Sequence, residues 1–278
     1  MTDFETIATE MPEPGIMRII LDRPKSRNAQ NTQMLCELNE AFDIGARDDS
    51  IKVIILAANG PHFSSGHDLA EQFEDQLHRL ENRASTGSWG GYGKPGAESR
   101  MGIEKEIYLG FSERWRNIPK VTIAEVQGKV ISGGLMLVWP CDIVIAADDA
   151  QFQDNTLLMG MTGAEFFNHP WELGIRKAKE MLFTADFISA EDARRLGGVN
   201  HVVPRGELSE FTMTLARKIA AAPGFALKLA KESVNVAQDH QGRRNAMDVS
   251  FALHQLGHSH NMQVHGAIVD PTYFKSRT

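Results

Sequence analysis

Short runs of aliphatic and β-branched residues alternate with a helical pattern in the first part of the chain. Residues 16–21 and 53–57 are such runs, and turn-forming residues bound them, which predicts two strands. Between them, residues 32–49 place Leu and Phe side chains three and four positions apart, which predicts a helix with one buried face.

The same alternation returns in the middle of the chain. Residues 121–126 and 142–146 predict strands, and residues 133–139 predict a short helix that stops before Pro140. Alternating strands and helices are typical of α/β proteins. We therefore predict an α/β fold.

The composition changes near Pro204. Beyond it the chain is rich in helix-forming residues and has no strand pattern. We predict a core over residues 1–204 and a helical region over residues 205–278. The helices of that region are predicted over residues 208–222, 225–237 and 243–256.

Residues 82–102 contain six glycines, together with Trp89, Tyr92 and Pro95. This density of glycine argues against a regular helix or a central strand, so a long loop is predicted. Loops of this length are often functional. We therefore favour a wall of a substrate pocket over a tolerated surface insertion.

Composition and charge narrow the class of protein. The chain has 278 residues, 42% of them hydrophobic, and no run of 18 apolar residues, so a large core and no membrane-spanning segment are expected. A net charge of −7 without a basic block argues against nucleic acid or an anionic membrane as a partner. An N-terminal segment without a signal pattern predicts a cytoplasmic location, where Cys36 and Cys141 would be free thiols.

Two glycine-bearing loops suggest acyl-group chemistry. Residues 63–69 and 128–134 each follow a hydrophobic strand, and Gly133 opens a predicted helix. The first N–H groups of a helix have no partner within it and favour negative charge. Two such loops can aim two backbone N–H groups at one point, which is how an oxyanion is stabilised.

In this setting the sequence resembles the crotonase (enoyl-CoA hydratase/isomerase) superfamily along most of its length. The resemblance implies a spiral of repeated β-β-α units, C-terminal helices that pack between subunits of a homotrimer or homohexamer and help close the site, a small-molecule acyl-CoA substrate, and no permanently bound cofactor. The residues that carry it are Leu21 to Lys25 with Asn28 and Ala29, Phe63 to Leu69, Ser132 to Asp142, Gly160, Gly163 and Lys177 to Ala193.

The resemblance also implies roles for loop residues. The oxyanion donors would be the N–H groups of Ser65 and Gly133. Lys25 and Arg27 flank the turn after the first strand pair and would meet the anionic CoA. The other expected substrate-binding residues are Gly66, His67, Asp68 and Gly134.

The catalytic positions depart from the family pattern. Hydratases of the superfamily use two glutamates as general acid and base, and Met136 and Thr156 stand where these would be. Positioned acid/base groups are each worth about 10²–10⁴ in rate, so another residue or another reaction is required. Both side chains, together with His169, are expected to face the substrate pocket.

Two carboxylates are candidates for the proton carrier. Asp154 precedes Thr156 by two residues, and an extended segment would return its side chain to the same face. Burial would raise the pKa of Asp154 and suit it to proton transfer near neutral pH; alternatively, Asp154 would tie down the next turn. Glu165 is the second candidate, although a glutamate there would also suit the first turn of a helix.

No metal site is predicted. His254 and His258 lie one helical turn apart, a spacing that can bind a metal, but no His-Glu-x-x-His motif or Cys cluster accompanies them.

Two functions remain open. One is an acyl-CoA enzyme that stabilises a thioester enolate, for hydration, double-bond isomerisation or C–C cleavage. The other is an acyl-CoA-binding protein that has kept the loops and lost the chemistry, as Met136 and Thr156 would suggest.

Overall fold

The computed structural model describes residues 3–81 and 89–272. Its strands are β1 (Ile7–Glu13), β2 (Ile16–Leu21), β3 (Val53–Ala58), β4 (Val121–Val126), β5 (Lys129–Ile131), β6 (Ile143–Ala147), β7 (Gln151–Gln153), β8 (Ile188–Ser189) and β9 (His201–Val203). Its α-helices are α1 (Thr32–Arg47), α2 (Phe73–Glu81), α3 (Ala97–Glu104), α4 (Phe111–Arg116), α5 (Leu135–Val138), α6 (His169–Thr184), α7 (Ala190–Leu196), α8 (Leu208–Ala220), α9 (Gly224–His240) and α10 (Arg243–His265).

The predicted alternation of strands and helices is confirmed. Six strands form the main sheet in the order β1-β2-β3-β4-β6-β9, in which β1 runs antiparallel to β2 and the other neighbours are parallel. A second sheet has the order β5-β7-β8. Parallel neighbours require crossover connections, and α1 lies in the connection between β2 and β3.

Apolar side chains cover both faces of the main sheet. Ile54 and Leu56 of β3 belong to one buried cluster, which includes residues of α1, α4 and α5. Val53 and Ile55 belong to a second cluster on the other face. Successive strand residues point to opposite faces, so the continuous apolar run of β3 is what a strand covered on both sides requires.

Helix α8, which follows the predicted boundary at residue 204, packs against the main sheet. Its buried residues Leu208, Met213 and Ala216 belong to the same cluster as Val53 and Ile55. Every residue of α9, by contrast, is at least partly exposed. Met247 and Phe251 of α10 belong to the other buried cluster of the core, so helices on both sides of α9 pack against the core, and the boundary at residue 204 stays a prediction.

Helix ends follow the local sequence. α1 begins after Asn31, whose side chain accepts a hydrogen bond from the Met34 N–H at 3.0 Å. α10 stops at Gly266, which has a φ of 67°, a conformation that suits glycine at a helix end. This stop lies beyond the predicted end at residue 256.

The loop predicted over residues 82–102 is wrong for its last part, because α3 begins at Ala97. Gly96 before it has a φ of 75°, and a Cβ atom at Gly102 within it would lie 2.4 Å from the Gly90 carbonyl oxygen. These glycines thus serve a turn and a close backbone contact. Residues 82–88 lie outside the described residues.

Among the described residues, no helix combines the length and apolar character needed to cross a bilayer. Cys36 is buried and Cys141 is partly buried, and no disulfide bond joins them.

Candidate active site

The two glycine loops lie side by side. The Ser64 N–H donates to the Lys129 carbonyl at 3.2 Å, and the Ile131 N–H donates to the Ser64 carbonyl at 3.0 Å. Gly66 has a φ of 89°, and a Cβ atom there would lie 2.7 Å from the Ile131 carbonyl oxygen and 3.2 Å from the Gly133 nitrogen. Glycine at position 66 therefore permits the close approach of the loops.

The structure corrects the first predicted oxyanion donor. The Ser65 N–H already donates to the Arg27 carbonyl at 3.0 Å. Two positions on, the His67 N–H has no acceptor among the described residues, and a Cβ atom at Gly133 would lie 3.1 Å from the His67 nitrogen. Gly133 itself lies in the first turn of the 3₁₀-helix that leads into α5, where backbone donors lack intrahelical partners.

A cavity of about 560 Å³ opens beside these loops, a volume within the range of small-molecule sites. Five predicted site residues line it, namely Ser65, His67, Asp68, Thr156 and Glu165. The other lining residues are Leu69, Glu71, Phe73, Gln76, Arg100, Glu104, Tyr108, Ile131, Ser132, Asn155, Met159, Met161, His254, His258, Ile268 and Val269. Arg100 comes from the 82–102 stretch that was expected to contribute to a pocket wall.

Glu165 connects this cavity to the first loop. One carboxylate oxygen lies 3.2 Å from His67 Nε2, and the other lies 3.5 Å from His254 Nε2. Burial disfavours charge on the His67 ring, but the Glu165 carboxylate outweighs it and raises the pKa of His67. Burial would raise the pKa of Glu165, but the two histidines lower it. Glu165 and His67 are therefore held as an ion pair.

The His67 ring is fixed from its other side by Tyr108. The two rings stack with centroids 3.9 Å apart. Tyr108 belongs to a π-helical segment, Lys105–Gly110, a rare conformation that is frequent at functional sites. Burial raises the pKa of Tyr108, so its hydroxyl group stays protonated.

Asp154 forms a sealed pair with His169. Both side chains are 0% exposed, and Asp154 Oδ2 lies 2.8 Å from His169 Nε2. The carboxylate also accepts hydrogen bonds from the N–H groups of Thr156 (3.0 Å) and Ala164 (2.8 Å) and from the Thr156 hydroxyl (2.7 Å). Burial would raise the pKa of Asp154, but His169 and Thr156 hold it well below its usual range. The raised pKa expected from the sequence is wrong.

Asp154, Met136 and His169 do not line the cavity. The expected alternation fails for Asp154 because β7 has ended, and Asn155 has φ −108° and ψ 11° rather than extended angles. Met136 is 1% exposed and packs in the hydrophobic core. Of the three residues expected in the pocket, Thr156 is the one that lines it.

The cavity also holds a cluster that the sequence did not predict. His254 and His258 of α10 have their Nε2 atoms 3.0 Å apart, and His258 Nε2 lies 3.3 Å from Glu104 Oε1 at the end of α3. Burial would raise the pKa of Glu104, but the hydrogen bond and charge of His258, together with His254 and Arg100, lower it below its usual range. Glu104 could not be found from sequence because no periodic pattern links α3 to α10.

The remaining predicted binding residues lie around the loops. Lys25 and Arg27 are exposed and stay predicted CoA contacts. Asp68 lies 2.9 Å from Arg23 in an ion pair that holds the first loop. A Cβ atom at Gly134 would lie 2.9 Å from a carbonyl oxygen of that loop, so this glycine serves loop packing.

Comparison with known proteins agrees with this fold. The sequence matches the enoyl-CoA hydratase/isomerase family over residues 12–89 and 96–268. A Mycobacterium tuberculosis protein named "Putative enoyl-CoA hydratase EchA13" is 45% identical over 268 residues, which are 95% of this chain and 84% of that protein. The chain belongs to the enoyl-CoA hydratase/isomerase family. This membership supports a general crotonase-type function on acyl-CoA thioesters.

Solved structures give the same result for the architecture. The crystal structure of a "probable enoyl-CoA hydratase" from Mycobacterium smegmatis has a TM-score of 0.85 and 45% identity, and the match covers 95% of this chain and 98% of that one. An enoyl-CoA hydratase/isomerase from Xanthobacter autotrophicus Py2 has a TM-score of 0.82 and 26% identity over 99% of this chain and 98% of that one. The predicted crotonase-like fold with C-terminal helices is confirmed.

Proposed function

We propose that this family member forms the enolate of an acyl-CoA thioester between the two glycine loops. The enolate oxygen would accept hydrogen bonds from the N–H groups of His67 and Gly133. The close contact between the loops supports this pair of donors. A Cβ atom at position 133 would lie 3.1 Å from the His67 nitrogen, so glycine at this position lets the two backbone segments come close together. Each donor of this kind is worth about 10²–10³ in rate.

Glu165, rather than Asp154, would carry the proton. The Glu165 carboxylate lines the cavity, and its partners are the side chains of His67 and His254. Protonation of Glu165 therefore leaves backbone hydrogen bonds intact. Asp154 lies behind the cavity wall and accepts two backbone N–H groups, so its protonation would loosen the loop that carries Glu165.

Double-bond isomerisation within the acyl chain is the reaction that this arrangement supports best. A single carboxylate can take a proton from one carbon atom and return it to another. Hydration also needs a positioned base for water, and the two family positions that would supply the glutamates hold Met136, buried in the core, and Thr156, whose hydroxyl donates to Asp154.

The test compares the wild-type protein with Glu165→Gln on 3-enoyl-, 2-enoyl- and β-keto acyl-CoA thioesters. We expect the wild-type protein to convert the 3-enoyl thioester. Chromatography of the products measures this conversion. We expect kcat to fall by about 10²–10⁴ in the variant, with the acyl-CoA Kd from calorimetry unchanged.

Glu180→Gln is the matched control for that experiment. Glu180 is a glutamate of α6 whose side chain is 61% exposed, so kcat should match the wild type. A Glu165→Gln variant as active as this control would refute the assignment. Tight acyl-CoA binding by the wild type without turnover of any thioester would instead establish a binding protein.

The CoA moiety would be bound by Lys25 and Arg27 and released with the product, so no permanent cofactor is proposed. Arg27 is tied to the first loop because its carbonyl accepts the Ser65 N–H at 3.0 Å. Replacing Arg27 with Ala keeps this carbonyl. The variant should therefore raise the Kd for CoA and leave kcat unchanged in the same assays.

A homotrimer or homohexamer is proposed for the assembly. Large apolar side chains of α9 and α10 are exposed, among them Val234 (70%) and Leu256 (63%), and exposed apolar surface favours a protein interface. Light scattering at micromolar concentration would contradict the proposal if it found a monomer. The cytoplasmic location stays a prediction.

A further inference from the structure

Backbone carbonyls fix the protonation of two neighbouring imidazole rings. His254 Nδ1 lies 2.7 Å from the Gly163 carbonyl oxygen, and His258 Nδ1 lies 2.8 Å from the Ile268 carbonyl oxygen. A carbonyl oxygen can only accept, so each Nδ1 carries a proton. In neutral rings, both Nε2 atoms then present lone pairs to each other across 3.0 Å. This contact is unfavourable unless a proton or a cation lies between them.

Two carboxylates surround the paired Nε2 atoms. Glu104 Oε1 lies 3.3 Å from His258 Nε2, and Glu104 Oε2 lies 3.9 Å from His254 Nε2. Glu165 Oε1 lies 3.5 Å from His254 Nε2. Both carboxylate side chains are 4% exposed, and charges at this depth need a balancing partner. The cluster therefore offers converging nitrogen and oxygen lone pairs in a buried position.

We propose that Glu104, His254 and His258 bind a divalent transition-metal ion, for which Zn²⁺ is the best match. Zn–N and Zn–O bonds are about 2.0–2.2 Å, so the ligand atoms of a tetrahedral site lie about 3.3–3.6 Å apart. The two Nε2 atoms are 3.0 Å apart, His258 Nε2 lies 3.3 Å from Glu104 Oε1, and one ligand atom from each of the three residues lies within 4.8 Å of the others. A set of two imidazoles and one carboxylate is also a donor combination that Zn²⁺ accepts in proteins.

The hydrogen bonds behind the ligands fit the same conclusion. Histidines that bind a metal usually donate their other N–H to a carbonyl or carboxylate, which fixes the ring, and both rings do so here. Glu104 is oriented by Gln255 Nε2 at 2.5 Å and by Arg100 at 3.4 Å. The cluster is thus held in place before an ion arrives.

Three protein ligands leave a fourth position on the ion. All three line the cavity, so this position would face the acyl group, beside Glu165. The site also joins α3 to α10, and a bound ion would tie the C-terminal helix to the cavity wall. The inference goes beyond the proposed isomerisation and does not depend on it.

The experiment measures metal binding by the intact protein after chelator treatment. Co²⁺ is the spectroscopic probe, and Zn²⁺ competes with it for the site. The wild type should bind one equivalent of Co²⁺ with the visible spectrum of a four-coordinate ion, and one equivalent of Zn²⁺ should abolish that spectrum. His258→Gln should weaken Co²⁺ binding at least about 100-fold, because it removes a ligand.

His260→Gln is the matched control, because His260 is an exposed histidine of the same helix. It should bind Co²⁺ as the wild type does. Glu104→Gln is the second ligand variant, in case His258→Gln does not fold by circular dichroism. The proposal is overturned if the folded wild type binds no stoichiometric Co²⁺, if ligand variants bind as tightly as His260→Gln, or if NMR finds a shared proton between the rings in the presence of Zn²⁺. Absence of metal binding would not change the result expected for Glu165→Gln in the turnover assay.

Discussion

Two carboxylate–histidine pairs lie on either side of the cavity wall. They share the same chemical groups but differ in their hydrogen-bond partners and in whether they line the cavity. Asp154 and His169 are 2.8 Å apart and both are 0% exposed. Glu165 and His67 are 3.2 Å apart, and the His67 side chain is 19% exposed. Both pairs join a carboxylate oxygen to a ring Nε2 atom. The difference lies in what else each carboxylate contacts.

The Asp154 carboxylate is saturated with donors, including two backbone N–H groups. One of these belongs to Ala164, the residue before Glu165, so the sealed pair positions the loop that carries the open one. The Glu165 carboxylate has side-chain partners on the cavity surface. An anion held by backbone N–H groups behind the cavity wall supports structure, whereas one that lines the cavity can exchange a proton with a ligand there.

The largest expected effect is on stability, from Asp154→Ala. Removing one partner of a buried, hydrogen-bonded pair leaves His169 and two backbone N–H groups unpaired, which costs about 3–5 kcal/mol in the free energy of unfolding. Glu165→Ala should cost less, about 1–3 kcal/mol, because it leaves side chains rather than backbone N–H groups without their partner. Denaturant titration of both variants measures this difference. Equal losses would remove the distinction between the pairs.

How far the sequence predicts this contrast can be judged from single residues. Local sequence patterns predict the glycine loops, the strands and the family. The glycines at 66 and 133 are part of such a pattern because the close backbone contact leaves no room for a Cβ atom at either position. The first oxyanion donor was misplaced at Ser65, since its N–H is used by the Arg27 carbonyl, a contact made across the fold. A motif alone does not reveal which of its N–H groups stays free of a partner.

The prediction that Asp154 lies in the pocket is wrong for a related reason. It requires an extended backbone through residue 156, but a 3₁₀ turn begins at Thr156. One turn of backbone was enough to move a side chain from one face to the other. Glu104 was missed because it is brought to His254 by packing between α3 and α10, which no local pattern encodes.

A smaller effect, on turnover, is expected when the histidines are exchanged. His67→Gln keeps the backbone N–H but removes the charged ring beside Glu165, so kcat should fall about 10- to 100-fold. His169→Gln should leave kcat of the folded protein within about twofold and lower the free energy of unfolding by about 1–3 kcal/mol. Steady-state kinetics and thermal unfolding of both variants separate the roles. Equal losses of kcat would mean that the sealed pair also takes part in the reaction.

The smallest effect is the acid dependence that Asp154 contributes. Its pKa in the folded protein is lowered by His169 and Thr156 against the opposing effect of burial, whereas an unfolded aspartate titrates near about 3.9. The folded state therefore binds fewer protons than the unfolded state between these two values. The stabilising contribution is complete above about pH 4 and is lost as the pH falls through the folded value, at up to about 1.4 kcal/mol per pH unit.

Asp154→Asn tests this dependence because asparagine keeps the shape without the titration. The difference in unfolding free energy between wild type and variant should be constant from pH 7 to 5 and should narrow between pH 4 and 2.5, as measured by urea unfolding. A gap that stayed constant down to pH 2.5 would mean that Asp154 has the same pKa in the folded and the unfolded protein. A wild-type stability that rose relative to the variant between pH 7 and 4 would mean that the folded carboxyl group is neutral and could donate a proton. Either result would contradict the assignment of Asp154 as a fixed anion.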